Sequence, residues 1–170
     1  FRDWVGEATA AGFTVQAQNL FAPHYGSACA RRRAYIVAVR ADSPAPFCFP
    51  RPTALRHDLR SVLEPDYYRR GVRLRGGAFT PLPQPKQRTQ HCLRQVGWYA
   101  QEERRYPVYG TQSYAAAQTA TGSGPGWTSG LYWVRGGVTG LTTLEVKRLM
   151  QMEDDVQLDD NEAVARRQLG

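Results

Sequence analysis

The spacing of apolar and polar positions divides the chain into three textures. Residues 2–11, RDWVGEATAA, are spaced for a short helix, and Gly12 supplies a natural C-terminal stop. FTVQAQNL then alternates with a period of two, as a strand does. After a turn holding Pro23 and Gly26, the run AYIVAV at residues 34–39 is polar on neither face and rich in β-branched side chains. Such a run predicts an interior strand of a covered, largely parallel sheet. Helix, strand, connection and strand together predict an α/β domain.

The middle of the chain reads differently. SPAPFCFPRPT, Ser43 to Thr53, places four prolines in eleven residues and predicts a stiff, irregular connection. Thr53 is placed to cap a short helix over ALRHDLRSVLE. From about residue 65 to residue 133 helical periodicity vanishes, and short β-like pieces such as RYPVYGT stand between turns. A smaller, irregular, β-rich region is predicted there; its tyrosines and tryptophans argue against a flexible insertion, because disordered segments are poor in aromatics. Regular spacing then returns. Thr142 and Glu145 in LTTLEVKRLMQM have the spacing of a capping box, and Leu144, Leu149 and Met152 can share an apolar stripe. Asp159 with Glu162 is placed to cap a last helix over DNEAVARRQ.

Composition narrows the class. With 170 residues and 42% hydrophobic content, the chain can bury a sizeable core. No apolar run approaches the roughly 18 residues that span a bilayer. The three cysteines Cys29, Cys48 and Cys92 are far apart and form no CxxC pair, which points to a reducing, cytoplasmic setting and away from a disulfide scaffold. Cys48 and Cys92 read as small packing residues. His24, His57 and His91 match no metal spacing, so no metal site is expected. The net charge of +7 is uneven: residues 1–134 hold 17 Lys and Arg against 8 Asp and Glu, and residues 135–170 hold 5 against 7. Nearly all the excess is arginine, a side chain suited to phosphates and guanine edges.

Three of those arginines precede the apolar run. If the backbone is extended from Cys29, then Cys29, Arg31, Arg33 and Tyr35 share one face, and Arg32 takes the other. Two guanidiniums on one face repel unless an anion lies between them. A protein carboxylate and a bound substrate both satisfy that requirement.

The segment Tyr25-Gly26-Ser27-Ala28-Cys29-Ala30-Arg31-Arg32-Arg33, running into Ala34-Tyr35-Ile36-Val37, resembles the eighth motif of the cytosine-5 DNA methyltransferases. That motif is Tyr-Gly-x-Pro-Gln-x-Arg-x-Arg before a hydrophobic strand. FPRPT and LRSVLEPD are similar to the family's exit from the catalytic domain. Ala117-Gln118-Thr119-Ala120-Thr121-Gly122 resembles a segment of its target-recognition domain. Leu141-Thr142-Thr143-Leu144-Glu145, with Arg148-Leu149 and Asp154-Asp155, is similar to the ninth motif, and Gly170 stands where the tenth, Gly-Asn, begins. The chain departs from the pattern at Ala28-Cys29, in place of Pro-Gln, and at Gly140, in place of an arginine.

The resemblance implies an α/β fold: the C-terminal part of a Rossmann-like methyltransferase domain plus a small irregular β-rich target-recognition domain. It divides the chain into the end of the catalytic domain at 1–65, the target-recognition domain at 66–134, and a returning segment at 135–170. It implies methyl transfer from S-adenosylmethionine to a cytosine flipped out of double-stranded DNA. Arg33 matches the arginine that stabilises charge on the ring during attack, and Arg31 its neighbour that orders the pocket. DNA contacts are expected from Arg104, Arg105, Thr119, Thr121 and Gly122, with Arg69, Arg70, Arg73 and Arg75 attracting phosphates. Glu102 and Glu103 are alternative partners for Arg104 and Arg105. Gly170 would belong to the cofactor site, most of which lies outside these residues.

The family's nucleophile loop, Pro-Cys, and its cofactor loop are not found in this sequence. Cys29 falls at the glutamine position and does not fit the nucleophile. The chain therefore reads as a truncation of a longer enzyme, favoured because both ends stop inside motifs, or as one subunit of a split enzyme completed by a second chain. Two rivals use the same residues. A non-catalytic DNA-binding module is supported by Ala28-Cys29, and an RNA-binding protein by the Arg-Gly-Gly triplets at Arg75 and Arg135.

Overall fold

A computed structural model describes residues 2–53, 56–65, 74–88, 93–117 and 130–169. Its elements in chain order are α1 (Arg2–Ala10), β1 (Phe13–Phe21), β2 (Arg32–Arg40), β3 (Ala78–Arg88), β4 (Leu93–Gln101), β5 (Arg104–Gly110), β6 (Leu131–Val134), β7 (Gly137–Thr139), α2 (Thr143–Leu149) and α3 (Glu162–Leu169). The strands form a two-stranded sheet, β1-β2, and a five-stranded sheet in the order β3-β4-β5-β6-β7.

α1, β1 and β2 lie where the sequence places them, but their pairing differs from expectation. β2 runs antiparallel to β1, with Phe21 opposite Arg32 and Phe13 opposite Arg40. Nor is β2 covered: Tyr35 and Ile36 are 50% and 45% exposed, and only Val37 and Val39 of its apolar run are half-buried. The β-branched run correctly predicts a strand. Among the described residues no layer covers Tyr35 and Ile36, so the covered, parallel setting is not found.

The five-stranded sheet is antiparallel except at β5-β6, which pair parallel with Val108 opposite Leu131. β3 carries Pro81, Pro83 and Pro85, a pattern that gives no strand signal in the sequence. It is tolerated because β3 is the edge of the sheet, where missing N–H groups cost no ladder bonds, and because its register shifts between Pro81 and Lys86. Next to this edge Gly97 makes room for Phe79: a Cβ at residue 97 would lie 2.3 Å from the Phe79 ring. Gly97→Ala is therefore expected to cost about 1–3 kcal/mol, read as a lowered melting temperature with an unchanged strand signal.

The main core gathers distant parts of the chain. Ala28, Cys29 and Ala30 pack with Leu59, Tyr109, Tyr132, Leu141, Val146 and Leu149. A second cluster, Tyr99, Val108, Leu131 and Val138, packs with Phe79, whose ring stacks on Trp133 at 4.2 Å. β5 and β6 thus bury side chains on both faces, which explains the aromatic density of the region.

α2 begins with the predicted capping box. Thr142 accepts from the Glu145 amide at 3.1 Å, and the Glu145 carboxylate accepts from the Thr142 amide at 2.9 Å. Leu149 is buried as expected, whereas Leu144 is only half-buried and Val146 takes the central place. Two expected caps are corrected. Residues 59–61 form a single 3-10 turn capped by Asp58, while Thr53 instead bonds the His24 carbonyl. The first turn of α3 is capped by Asn161, whose Oδ1 accepts from the amides of Ala163 and Val164. Cys48 is exposed and does not pack. Cys92 lies outside the described residues.

Candidate functional site

The site begins where the chain leaves the core and enters β2. Gly26, at φ 86°, turns the chain out of a 3-10 turn, a conformation that favours glycine. Ser27 to Ala30 are then buried, and Arg31, Arg32 and Arg33 emerge from this anchor. The backbone is not extended from Cys29 as expected, because the Arg31 amide turns back onto the Cys29 carbonyl at 2.7 Å and β2 begins at Arg32; alternation separates Arg32, opposite Phe21, from Arg33, opposite Leu20. Arg32 stands opposite Phe21 with its guanidinium 5.3 Å from the ring centroid, a cation–π contact in place of the expected salt bridge or solvent position. Arg31 is half-buried and points Nη1 at the Met150 sulfur, 3.8 Å away, just past the end of α2. Arg33 is exposed and donates to the carbonyl of Arg32 at 3.1 Å. Among the described residues no carboxylate pairs with Arg31 or Arg33.

The arginines that do have carboxylate partners lie elsewhere. Arg40 pairs with Asp42 at 2.7 Å and Arg60 with Asp58. Arg148 grips Asp154 through Nε and Nη2, the latter at 2.6 Å. This bidentate contact holds the Asp154 carboxyl below the usual carboxylate range. Arg148 and Asp154 of the ninth-motif resemblance thus form a structural pair at the end of α2. Nearby, the buried Lys147 donates to the carbonyls of Asp154 and Val156 at 2.6 and 2.7 Å, closing the turn after the helix.

The expected DNA-reading residues are only partly within view. Arg104 and Arg105 open β5 after a tight turn in which Glu102 has φ 54°. Arg105 lies over the Trp98 ring at 5.3 Å, and among the described residues neither arginine pairs with Glu102 or Glu103. Arg75 lends its backbone carbonyl to the Tyr99 hydroxyl at 3.2 Å. Thr119, Thr121, Gly122, Arg69, Arg70, Arg73 and Gly170 lie outside the described residues.

The sequence did not point to a cleft of about 880 Å³ between the turn at 56–61 and the small sheet. Arg56, His57, Arg60, Gln87 and Gln112 line it, with Asp58 the one carboxylate among the described residues of its wall, already paired to Arg60. Tyr114, also in its wall, packs edge-on against Phe21, the ring under Arg32. Tyr114 thus links the wall of the cleft to the ring beneath Arg32. The signal in the sequence was RHDLR itself, read only as part of a helix.

Cys29 is 1% exposed, with Sγ 3.7 Å from the Ala116 carbonyl. A thiol so enclosed has no access to a substrate, in keeping with the expectation that it is not a nucleophile. Among the described residues no group of three His, Cys, Asp or Glu side chains is placed to hold a metal, and no helix is long and apolar enough to cross a membrane.

The fold is similar to that of solved structures, two of which are methyltransferases by name. The Entamoeba histolytica methyltransferase EhMeth superposes with a TM-score of 0.68 at 10% identity, over 100% of this chain and 52% of that one. Spodoptera frugiperda DNMT2 superposes with a TM-score of 0.62 at 17% identity, over 99% of this chain and 57% of that one. The chain has a methyltransferase fold. It spans about half the length of these two structures. The expected resemblance thus holds at the level of the fold, including a mixed α/β architecture. No protein-family model and no curated relative matches the chain.

Proposed function

We propose that the chain is the C-terminal part of a cytosine-5 DNA methyltransferase, supplying active-site arginines and the DNA-reading surface of an enzyme that uses S-adenosylmethionine. The observation that carries this reading is the arginine pair. Arg31 and Arg33 follow a buried anchor at the start of β2 and have no carboxylate partner among the described residues, in a chain with a methyltransferase fold. The sequence alone left open whether a protein carboxylate or a substrate balances these charges. The geometry favours the substrate.

On this reading a thiolate, contributed by residues other than those of this chain, attacks position 6 of a cytosine turned out of the duplex. Charge then builds on the ring, most at the O2 carbonyl. The Arg33 guanidinium stabilises that charge, and Arg31, held against Met150, keeps the pocket wall in place. The cleft of Arg56, Arg60 and Gln112 takes the phosphate backbone, and Arg105, braced on Trp98, faces the base edges. The described residues do not fit S-adenosylmethionine: they contain no glycine-rich loop to take its nucleoside, and the cofactor is assigned to the remainder of the enzyme. The exposed apolar faces of β2 suit the same arrangement, because a strand of this composition belongs inside a larger sheet. A cytoplasmic setting belongs to the proposal as well.

The test is transfer of label from tritiated S-adenosylmethionine, with the chain assayed alone and joined to the sequence encoded upstream of it. Label on cytosine in duplex DNA is expected only from the joined form. Label on neither acceptor would replace this reading, with the non-catalytic module where the chain binds duplex DNA tightly and with the RNA-binding rival where it binds RNA instead; label on RNA alone would change the acceptor.

A further inference from the structure

We propose that Ser27 and Cys29 are positioning residues for Arg31 and Arg33, tying the start of β2 to the small sheet on one side and to α2 on the other. The proposal rests on the role given to the arginines above, but the tie itself is a matter of geometry in this chain.

Within this chain most of β2 is exposed, so the β1-β2 ribbon by itself gives its side chains little hold. Its firmness has to come from the segment just before it, where Ser27, Ala28, Cys29 and Ala30 are between 1% and 6% exposed. This segment forms an isolated parallel bridge with Ala115. The Ala115 amide donates to the Ala28 carbonyl at 2.7 Å, and the Ala30 amide donates to the Ala115 carbonyl at 2.8 Å. Cys29 Sγ donates to the next carbonyl, that of Ala116, at 3.7 Å. Ala116 in turn donates its amide to the Tyr132 hydroxyl at 2.9 Å, and Tyr132 is a fully buried residue of β6. Those contacts connect the arginine strand to the small sheet.

The opposite side is held through Ser27. Its hydroxyl donates to the Leu149 carbonyl at the end of α2, at 3.0 Å, and accepts from the Cys29 amide at 3.1 Å. The Arg31 amide then donates to the Cys29 carbonyl at 2.7 Å, and the Arg31 carbonyl accepts from the Ala22 amide at 2.9 Å. Arg31 also reaches Met150, the residue after Leu149. The backbone that aims Arg31 and Arg33 is thus fixed by three parts of the fold. A shift of the small sheet relative to α2 moves the arginines with it, so the surface that reads DNA and the charge that serves the reaction form one mechanical unit. The family pattern has a glutamine at position 29; here a buried thiol fills that place.

Hydrogen exchange on the 170-residue chain tests the tie. In Ser27→Ala and Cys29→Ala, the amides of Arg31 to Arg33 and of Ala115 are expected to exchange about tenfold faster, while those of β4 keep their rates. Cys29→Ser retains a donor toward Ala116 and is expected to restore slow exchange. Unchanged rates at 31–33 in both alanine variants overturn the proposal, and so does a uniform rise that includes β4, which marks simple loss of stability. In the completed enzyme the alanine variants are expected to lower kcat about tenfold at unchanged KM for duplex DNA, with Cys29→Ser near wild type. A raised KM at unchanged kcat also overturns it. If the completed enzyme methylates no cytosine, the proposed function falls, while the exchange rates still decide whether the tie exists.

Discussion

Arg33→Ala is expected to lower methyl transfer by the completed enzyme about 10²–10³-fold, with duplex binding near the wild-type level. The reasoning is electrostatic. A guanidinium held in a fixed direction stabilises charge that appears only as the ring is attacked, so its loss acts on turnover and leaves ground-state binding intact. Arg33 suits this role because it is exposed, lacks a carboxylate partner among the described residues, and stands on a strand anchored at 27–30. Arg33→Lys keeps the charge but loses the planar fork, and is expected to recover only part of the rate. Single-turnover kinetics beside a binding isotherm separate the two effects. Normal turnover in Arg33→Ala would remove the arginine from the reaction, and a parallel loss of binding would make it a DNA contact instead.

The largest effect on stability is expected at Glu145. Its side chain is fully buried and accepts backbone amides from two parts of the chain: Thr142, at the start of its own helix, and Glu64, beside the cleft, each at 2.9 Å. Thr142 completes the cluster by donating its hydroxyl to the Glu64 carboxylate while accepting from the Glu145 amide. Glu145→Ala removes both acceptor oxygens and leaves two amides to be satisfied in a buried place, a loss of about 3 kcal/mol. Urea unfolding is expected to show a lower midpoint at unchanged slope. Glu145→Gln keeps one carbonyl acceptor and is expected to lose distinctly less. Equal losses in the two variants would mean that the negative charge, and not the acceptor geometry, is what the cap requires.

That cluster also shows what was legible in the sequence. The spacing of Thr142 and Glu145 announces a capping box because the pattern is local, closing within one turn of one helix. The second use of Glu145, on the Glu64 amide, spans 81 residues and leaves no local trace. The same division runs through the fold. The β-branched run at 34–39 announces a strand, but its partners and its cover depend on what is packed around it. Three prolines in β3 suppress any strand signal, yet position at the sheet edge makes them harmless. Thr53 looked like a cap and Asp58 is the cap, since a short polar side chain before a turn is a common pattern and only the backbone path selects among candidates. At the candidate site, strand alternation separated Arg32 from Arg33, but the turn that places Arg31 before the strand was not legible. The cleft of Arg56, Arg60 and Gln112 remained hidden because its two walls come from segments about 50 residues apart.

The proline-bearing edge strand limits what the small sheet can accept. A border that cannot present a full ladder of hydrogen bonds accepts no further strand, so the strand count of the small sheet is closed on that side. Chain added at that border therefore stays outside the sheet, and the scaffold keeps its size.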